Sequence, residues 1–161
     1  MSQSVAIVGV GVVGSRVARQ LAASGISVLV HDVRRDMQMM VAKTLGAREL
    51  VEITDLRVET TPVVVIATRS SQAAMAKLLL ELGHHVISTS DDVHDTHELL
   101  ALDELARMMG RALVVGATAS PGLSGLLVAE LATRVDAIDE IHVAFHGTGG
   151  PECARQHHRA L

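Results

Sequence analysis

The sequence predicts an α/β domain with a doubly wound parallel sheet, and two observations lead to that prediction. Short runs rich in β-branched residues alternate with segments of helical period as far as residue 134, which is the pattern of successive βαβ units. The predicted strands are apolar on both faces, as strands covered by helices on both sides should be. A chain of 161 residues with 48% hydrophobic residues can form one domain with its own core.

The elements follow one another in a regular order. Strands are predicted at residues 5–8, 27–31, 49–53, 63–67, 85–88 and 112–115. Helices are predicted at residues 12–24, 34–45, 71–82, 95–109 and 121–134. Because crossovers between parallel strands are right-handed, few topologies remain, and we expect the strand order 3-2-1-4-5-6.

Capping residues mark the predicted helix boundaries. Gly25 and Gly46 follow the first two helices as C-terminal caps. Asp95 and Glu98 have the spacing of a capping box. The Ser120-Pro121 pair is typical of an N-cap followed by proline at the first helical position.

The composition excludes several classes of protein. A formal charge of −4 argues against a polybasic nucleic-acid binder, and 1% aromatic residues leave no stacking platform for single strands. The N-terminus lacks the positive segment of a signal peptide, and its apolar run is too short to span a bilayer. The single cysteine excludes an internal disulfide. We therefore expect a cytoplasmic protein with no membrane or nucleic-acid partner.

A glycine-rich turn joins the first strand to the first helix. Gly9, Gly11 and Gly14 form the pattern GxGxxG, in which the first glycine permits the turn, the second lets the backbone approach a pyrophosphate, and the third lets the helix pack closely. Val12 and Val13 begin the helix, whose N-terminal N–H groups favour phosphate. The alternative is a tight turn without a ligand. The context of strand, turn and helix favours a Rossmann dinucleotide-binding site.

An acidic residue follows the second strand, 18 residues beyond Gly14. At that position the carboxylate of Asp32 can accept hydrogen bonds from the adenosine ribose and would repel a 2′-phosphate, which favours NAD. Val33 and Arg34 complete this part of the predicted site. The guanidinium of Arg34 could instead bind a 2′-phosphate, so NADP stays open as the second cofactor.

Loops at the carboxyl ends of later strands complete the predicted site, because ligands of doubly wound sheets lie across those ends. Ala67, Thr68 and Arg69 follow the fourth strand, Thr89 follows the fifth, and residues 116–122 follow the sixth. Small and hydroxyl residues there allow close approach to riboses and a carboxamide. Ordinary helix caps are the alternative for some of them.

No metal site and no catalytic residue are assigned. His94 and His97 lie among aspartates, but a solvated, acidic helix start explains that segment better than a metal site does. Cys153 follows a glycine- and proline-rich turn, and without an activating neighbour it is better interpreted as an inert thiol than as a nucleophile.

The chain resembles the saccharopine dehydrogenase family. The resemblance is carried by LVVGATASPGLSGLL at residues 113–127, by GVGVVG, PVVVIAT and GHHVISTSDD, and by VDAIDEIHV, and it covers residues 4–146. It implies that Gly9, Gly11 and Gly14 contact the pyrophosphate, Asp32 the ribose, and the loops at Thr68 and Thr89 the nicotinamide side. Members that use NADP tend to have a neutral residue followed by Arg where this chain has His31-Asp32.

The resemblance also implies a division into two domains. Residues 1–136 are expected to form the dinucleotide-binding domain. Residues 137–161, with a half-exposed strand at 136–146, are expected to be the strand and linker that lead into a C-terminal substrate domain absent here. A natural tail is the alternative.

The resemblance further implies a function. We expect this chain to be the cofactor-binding part of an NAD(P)-dependent oxidoreductase that acts on a C–N bond of an amino-acid-like substrate. The chain alone is expected to be inactive, and a homodimer is compatible with this prediction. The alternative is a regulatory nucleotide-sensing Rossmann domain of the potassium-transport type, without catalysis.

Overall fold

The chain folds around one parallel sheet in the computed structural model, which describes residues 3–69, 71–120 and 122–144. Six strands lie in the order β3-β2-β1-β4-β5-β6. Their bounds are Ser4–Val8 (β1), Ser27–His31 (β2), Arg48–Glu49 (β3), Val63–Ile66 (β4), His85–Ser88 (β5) and Leu113–Val114 (β6). The predicted fold class and strand order are confirmed.

Helices cover both faces of the sheet. Their bounds are Val12–Ala23 (α1), Arg35–Leu45 (α2), Ala73–Glu81 (α3), Val93–Leu100 (α4), Asp103–Met108 (α5) and Leu123–Ala132 (α6). Gly25 and Gly46, which have φ of +76° and +63°, follow α1 and α2 as predicted. Within the three described segments, no helix has the length and apolar character needed to cross a membrane.

The central strand β1 organises the core. It pairs in parallel with β2 on one side and β4 on the other. Ala6 and Val8 pack into one apolar cluster, whereas Ile7 packs into a second cluster with residues of α1 and α2. The two faces of β1 are therefore both buried, which explains its uninterrupted apolar sequence.

The third strand is shorter than predicted. It was expected at residues 49–53, but it covers Arg48–Glu49 and a 3₁₀ turn covers Ile53–Asp55. Leu50 and Ile53 are both buried, whereas Val51 is 50% exposed. A spacing of three between buried residues fits a turn and not the period of two of a strand.

The predicted helix at residues 95–109 is two helices, α4 and α5. The predicted capping box is also wrong. Asp92 is the N-cap of α4, and its Oδ1 accepts a hydrogen bond of 2.9 Å from the backbone N–H of Asp95. The side chain of Asp95 bonds to a different helix, α3.

The last helix begins later than predicted, at Leu123 and not at residue 121. Its N-cap residue is Gly122 and not Ser120, while Pro121 lies outside the described residues. Gly122 has φ of +122°, and a Cβ there would lie 2.5 Å from the carbonyl oxygens of Gly116 and Thr118. This close approach requires glycine.

The predicted strand at residues 136–146 does not form within its described part, residues 136–144. A strand is stabilised by pairing, and these residues pair with no other strand of the described chain. Residues 145–161, including Cys153 and the predicted helical start, lie outside the described residues.

A buried histidine lies at the amino end of β5, on the edge of the sheet opposite the glycine-rich turn. His84 is fully buried, and its Nδ1 lies 2.8 Å from the carbonyl oxygen of Thr61. Its Nε2 and the buried Nε of Arg111 have no hydrogen-bond partner within the described segments. Burial lowers the pKa of His84, the Thr61 hydrogen bond opposes this, and the charge of Arg111 lowers it further.

The free energy of unfolding should therefore fall as the pH drops below about 6.5, the usual pKa of histidine. There the unfolded chain takes up a proton at His84 that the native state, with its lowered pKa, does not. Denaturant unfolding between pH 7 and pH 5 measures how steeply the free energy of unfolding changes with pH, that is, the slope of this dependence. His84→Gln should flatten it, and the exposed His97→Gln is the matched control. An identical slope in His84→Gln and the wild type would contradict the assignment.

Candidate functional site

The candidate site lies at the carboxyl edge of the sheet. The strand order reverses between β1 and β4, because the chain leaves β1 toward β2 and β3 and later continues from β4 to β6. Loops after β1 and β4 run in opposite directions at such a point and leave a crevice between them. The predicted site residues lie at this edge, on the loops after β1, β2, β4 and β5 and in the first turn of α1.

Two glycines of the turn are required by the fold itself. Gly9 has φ of +92°, and a Cβ there would lie 2.6 Å from the carbonyl oxygen of Ala67. A Cβ on Gly14 would overlap the carbonyl oxygen of Gly9 and lie 3.3 Å from the Cβ of Ala67. These contacts bring the start of α1 against the ends of β1 and β4.

Gly11 is different, because the fold does not require it to be glycine. Its φ is −67°, and a Cβ there would meet no atom within 4 Å. Gly11 is also the N-cap residue of α1, where no side chain caps the helix and the first turn holds no acidic residue. Space and free N–H groups at a helix N-terminus suit an anion such as a pyrophosphate.

Val12 and Val13, the first residues of α1, have side chains that are 46% and 41% exposed. Their backbone N–H groups are among the four at the start of α1 that have no carbonyl partner within the helix. The exposure of this first turn leaves it accessible to a ligand.

Asp32 links the glycine-rich turn to the start of α2. It is 7% exposed, and its Oδ2 accepts a hydrogen bond of 2.8 Å from the N–H of Val10. Its Oδ1 accepts from the backbone N–H of Arg34 at 2.9 Å and from the guanidinium Nε at 3.3 Å. Burial raises the pKa of Asp32, but the hydrogen bonds from Arg34 and Val10 outweigh it, so the pKa is lowered and the carboxyl is ionised at neutral pH.

Gln38 supports this loop and is a residue that sequence analysis missed. It is fully buried, its Oε1 accepts from the N–H of Asp32 at 3.0 Å, and its Nε2 donates to the carbonyl oxygen of Leu50 at 3.1 Å. A signal was present, since Gln38 lies three and four residues before the buried Val41 and Ala42 on one face of α2. A polar residue on a buried face needs hydrogen-bond partners.

Arg34 and Val33 are at the rim of the site, with Arg34 57% and Val33 92% exposed. Beside Arg34 a cleft of about 430 Å³ opens between α1 and α2. Gly11, Ser15 and Arg19 line it on the side of α1. The cleft therefore joins the open face of Gly11 to the end of β2.

The predicted loops after β4 and β5 adjoin the glycine-rich turn. The N–H of Ala67 donates to the carbonyl oxygen of Val8 at 2.8 Å. The hydroxyl of Thr89 donates to the carbonyl oxygen of Ile66 at 3.0 Å. Thr68 is half-buried beside them, and Arg69 is exposed at the rim.

The acidic start of α4 is solvated, as predicted, at Asp91, Asp92, His94 and His97, but Asp95 is 5% exposed. His94 does lie at the surface, where its ring is 3.8 Å from the carboxylate of Glu98. In the described part of the chain, no three His, Cys, Asp or Glu residues are close enough together to hold a metal ion.

Comparisons with known proteins agree with this geometry. Residues 1–75 match the family model of the D-isomer specific 2-hydroxyacid dehydrogenase, NAD binding domain. No curated protein sequence matches the chain.

Three solved structures illustrate the similarity. UDP-N-acetylglucosamine 3-dehydrogenase GnnA from Acidithiobacillus ferrooxidans is 25% identical over 72% of this chain and 38% of its own, with a TM-score of 0.60. GenD2 from gentamicin A biosynthesis, in complex with NAD, is 24% identical over 87% of this chain and 41% of its own, with a TM-score of 0.68. Saccharopine dehydrogenase (L-Glu forming) from Saccharomyces cerevisiae is 20% identical over 83% of this chain and 31% of its own, with a TM-score of 0.68.

The chain therefore spans less than half the length of the solved structures that it resembles. Together the family model, the strand order and the glycine-rich turn define the class of this domain. It is an NAD-binding Rossmann domain of the kind found in oxidoreductases, as the sequence predicted.

The open face of Gly11 makes a paired substitution informative. Gly11→Ala should lower the free energy of unfolding by about 1 kcal/mol at most, because alanine is a poorer N-cap than glycine but its methyl group meets no atom within 4 Å. It should weaken NADH binding by about tenfold or more, since the methyl group would occupy the space proposed for the pyrophosphate. Gly14→Ala should instead lower the free energy of unfolding by about 2 kcal/mol or more.

Chemical denaturation and NADH titration of both variants separate the two effects. A Gly11→Ala variant that binds NADH as tightly as the wild type would show that the pyrophosphate does not approach this residue.

Proposed function

We propose that residues 1–136 bind NAD(H) at the carboxyl edge of the sheet as the cofactor-binding domain of an oxidoreductase. The observation that carries the proposal is the open, uncapped start of α1 at Gly11, flanked by two glycines that the fold does require. A side chain at Gly11 would meet no atom within 4 Å, so contacts within the described chain do not exclude one. The open space there suits the close approach of a pyrophosphate.

The strand order supports a placement of the two halves of the dinucleotide. The adenosine half lies over β2, because Asp32 ends that strand and its ionised carboxylate retains acceptor capacity beyond its three hydrogen bonds. The nicotinamide half lies on the other side of the switch point, over β4 and β5, where Thr68 and Thr89 are placed. The open turn at Gly11 connects the two halves.

The charges near β2 support NAD over NADP. The buried carboxylate of Asp32 would repel a 2′-phosphate, and its pairing with Arg34 engages the nearest guanidinium. A 2′-phosphate that approached Arg34 would therefore also meet the charge of Asp32, which lies 3.3 Å from the guanidinium Nε. We therefore propose NAD as the preferred cofactor and NADP as a weaker ligand.

A nicotinamide bound at this edge would supply the hydride donor or acceptor of the reaction. This chain's own residues would position it through the loops that carry Thr68 and Thr89. We further propose, from the sequence resemblance, that the substrate is amino-acid-like and reacts at a C–N bond. The residues that bind the substrate and catalyse the reaction would belong to a substrate domain, as the sequence resemblance implies.

The chain alone is proposed to bind NAD(H) without turnover. Cytoplasmic location and a homodimeric state stay predictions from the sequence.

Titration with NADH and NADPH is the direct test of the proposal. The chain has no Trp and no Tyr, so the fluorescence of the reduced nicotinamide can be followed without interference from the protein. We expect saturable binding that is tighter for NADH than for NADPH. Absence of binding of both cofactors would refute the proposed function.

Changing Asp32 should alter cofactor preference. Asp32→Ala should weaken NADH binding by about 1.5 to 3 kcal/mol through loss of charge-assisted hydrogen bonds. It should also free Arg34 and remove the repulsion of a 2′-phosphate, so the ratio of NADPH affinity to NADH affinity should rise. Adding Arg34→Ala should lower that ratio again.

The affinity ratio is the informative quantity, because Asp32 also braces the glycine-rich turn and its loss can weaken both cofactors together. A ratio in Asp32→Ala equal to that of the wild type would argue against the ribose contact.

A further inference from the structure

A network of buried polar side chains lies beneath the loops after β4 and β5. Gln72 is 2% exposed, Ser88 is fully buried, Ser90 is 7% exposed and Asp95 is 5% exposed. Buried polar groups of this kind are tolerated when their hydrogen bonds are satisfied. Here those bonds run between the two loops.

Asp95 forms one end of the network. Its carboxylate accepts hydrogen bonds from the backbone N–H groups of Gln72, at 2.8 and 3.0 Å, and of Ala73, at 3.1 Å. The hydroxyl of Ser71 donates to it at 2.7 Å. A carboxylate of α4 therefore caps the start of α3.

The charge of Asp95 is maintained by these contacts. Burial raises the pKa of this carboxyl, but the hydrogen bonds from Ser90, Gln72, Ser71 and Ala73 together outweigh burial and lower it. The Asp95 carboxyl is therefore ionised at neutral pH, and the hydrogen bonds that it accepts are charge-assisted.

Gln72 carries the network from Asp95 to the loop residues. Its Nε2 donates to the carbonyl oxygen of Thr68 at 3.0 Å, and its Oε1 accepts from the hydroxyl of Ser88 at 2.8 Å. The hydroxyl of Ser88 also accepts from the N–H of Ser90 at 3.2 Å. Both loops are thus bonded to one side chain whose backbone is held by Asp95.

The loops that are held in this way adjoin the glycine-rich turn. A Cβ on Gly9 would lie 3.0 Å from the backbone nitrogen of Thr68. Thr89 lies between Ser88 and Ser90, the two serines of the network. The network therefore bonds to Thr68 and to the serines on either side of Thr89, the two threonines proposed to face the nicotinamide half.

A cap for α3 alone would not need this arrangement. Ser, Thr, Asp or Asn at the N-cap position satisfies helix N–H groups locally. In this chain the N-cap residue is Gln72, whose own side chain makes no capping hydrogen bond, and the cap comes from a residue 23 positions away. A buried carboxylate is expensive to desolvate, so its use here favours a role in joining the two loops.

We propose that Asp95 is a positioning residue that fixes the loops of Thr68 and Thr89 in the arrangement that binds the nicotinamide half of NAD(H). The inference rests on the proposed function and goes beyond it by separating control of the nicotinamide half from binding of the adenosine half. Asp95 acts through Gln72 and makes no contact with the cofactor itself.

The test compares NADH with ADP-ribose, which lacks the nicotinamide. Asp95→Asn should weaken NADH binding about three- to tenfold and leave ADP-ribose binding within about twofold of the wild type. The fluorescence enhancement of NADH at saturation should also fall, because a less ordered loop immobilises the ring less. Calorimetry gives both affinities, and Asp103→Asn, which removes an exposed carboxylate of α5, is the matched control.

Ser71→Ala is the milder second variant, in case Asp95→Asn does not fold. It removes one hydrogen bond to Asp95 from an exposed residue and should shift NADH binding in the same direction by a smaller factor. Equal affinity changes for NADH and ADP-ribose in a folded variant would overturn the inference, and so would no change in either. A wild-type chain that binds neither ligand would refute the proposed function instead.

Discussion

The close approach of α1 to the ends of β1 and β4 is the constraint on which the rest of the site depends. Side chains at Gly9 and Gly14 would collide with backbone atoms, so α1 can begin where it does only with glycine at both positions. Its N-terminus then lies at the switch point of the sheet, beside Ala67 and the end of β2. A third glycine, Gly11, is the N-cap of α1 and faces open space there, where a Cβ would meet no atom within 4 Å.

Polar side chains brace each side of this crevice. On the adenosine side, Asp32 and Gln38 connect the glycine-rich turn, the start of α2 and the residue after β3. On the other side, Asp95 and Gln72 connect the loops after β4 and β5. Loops at the carboxyl ends of parallel strands lack the hydrogen-bond ladder of the sheet, and in this domain buried side chains replace it.

Much of the fold could be predicted because its determinants are local. Apolar runs, helical periodicity and glycines such as Gly46 give the strands, the helices and their ends, and the right-handed crossover gives the strand order. The glycine-rich turn and Asp32 could be located because their roles depend on spacing along the chain.

The errors arose where contacts between distant residues decide the structure. Asp95 has the local spacing of a capping box, yet its carboxylate caps a helix that begins 22 residues earlier in the chain. The apolar residues after residue 134 alternate as in a strand, yet within the described segments they have no partner with which to pair. The third strand ends before its predicted end because Ile53 is buried by a 3₁₀ turn and not by strand pairing. Sequence periodicity contains no information on such partners.

The central claim is that a dinucleotide crosses the edge of the sheet with its pyrophosphate at Gly11. Nitrogen-edited NMR of the full chain during titration with NAD⁺ tests it directly, because each backbone N–H is a separate reporter. The largest saturable shifts are expected at the N–H groups of Gly11, Val12 and Val13, with smaller ones near Asp32 and Thr89. Saturable shifts confined to other parts of the chain, with these three N–H groups unchanged, would contradict the account.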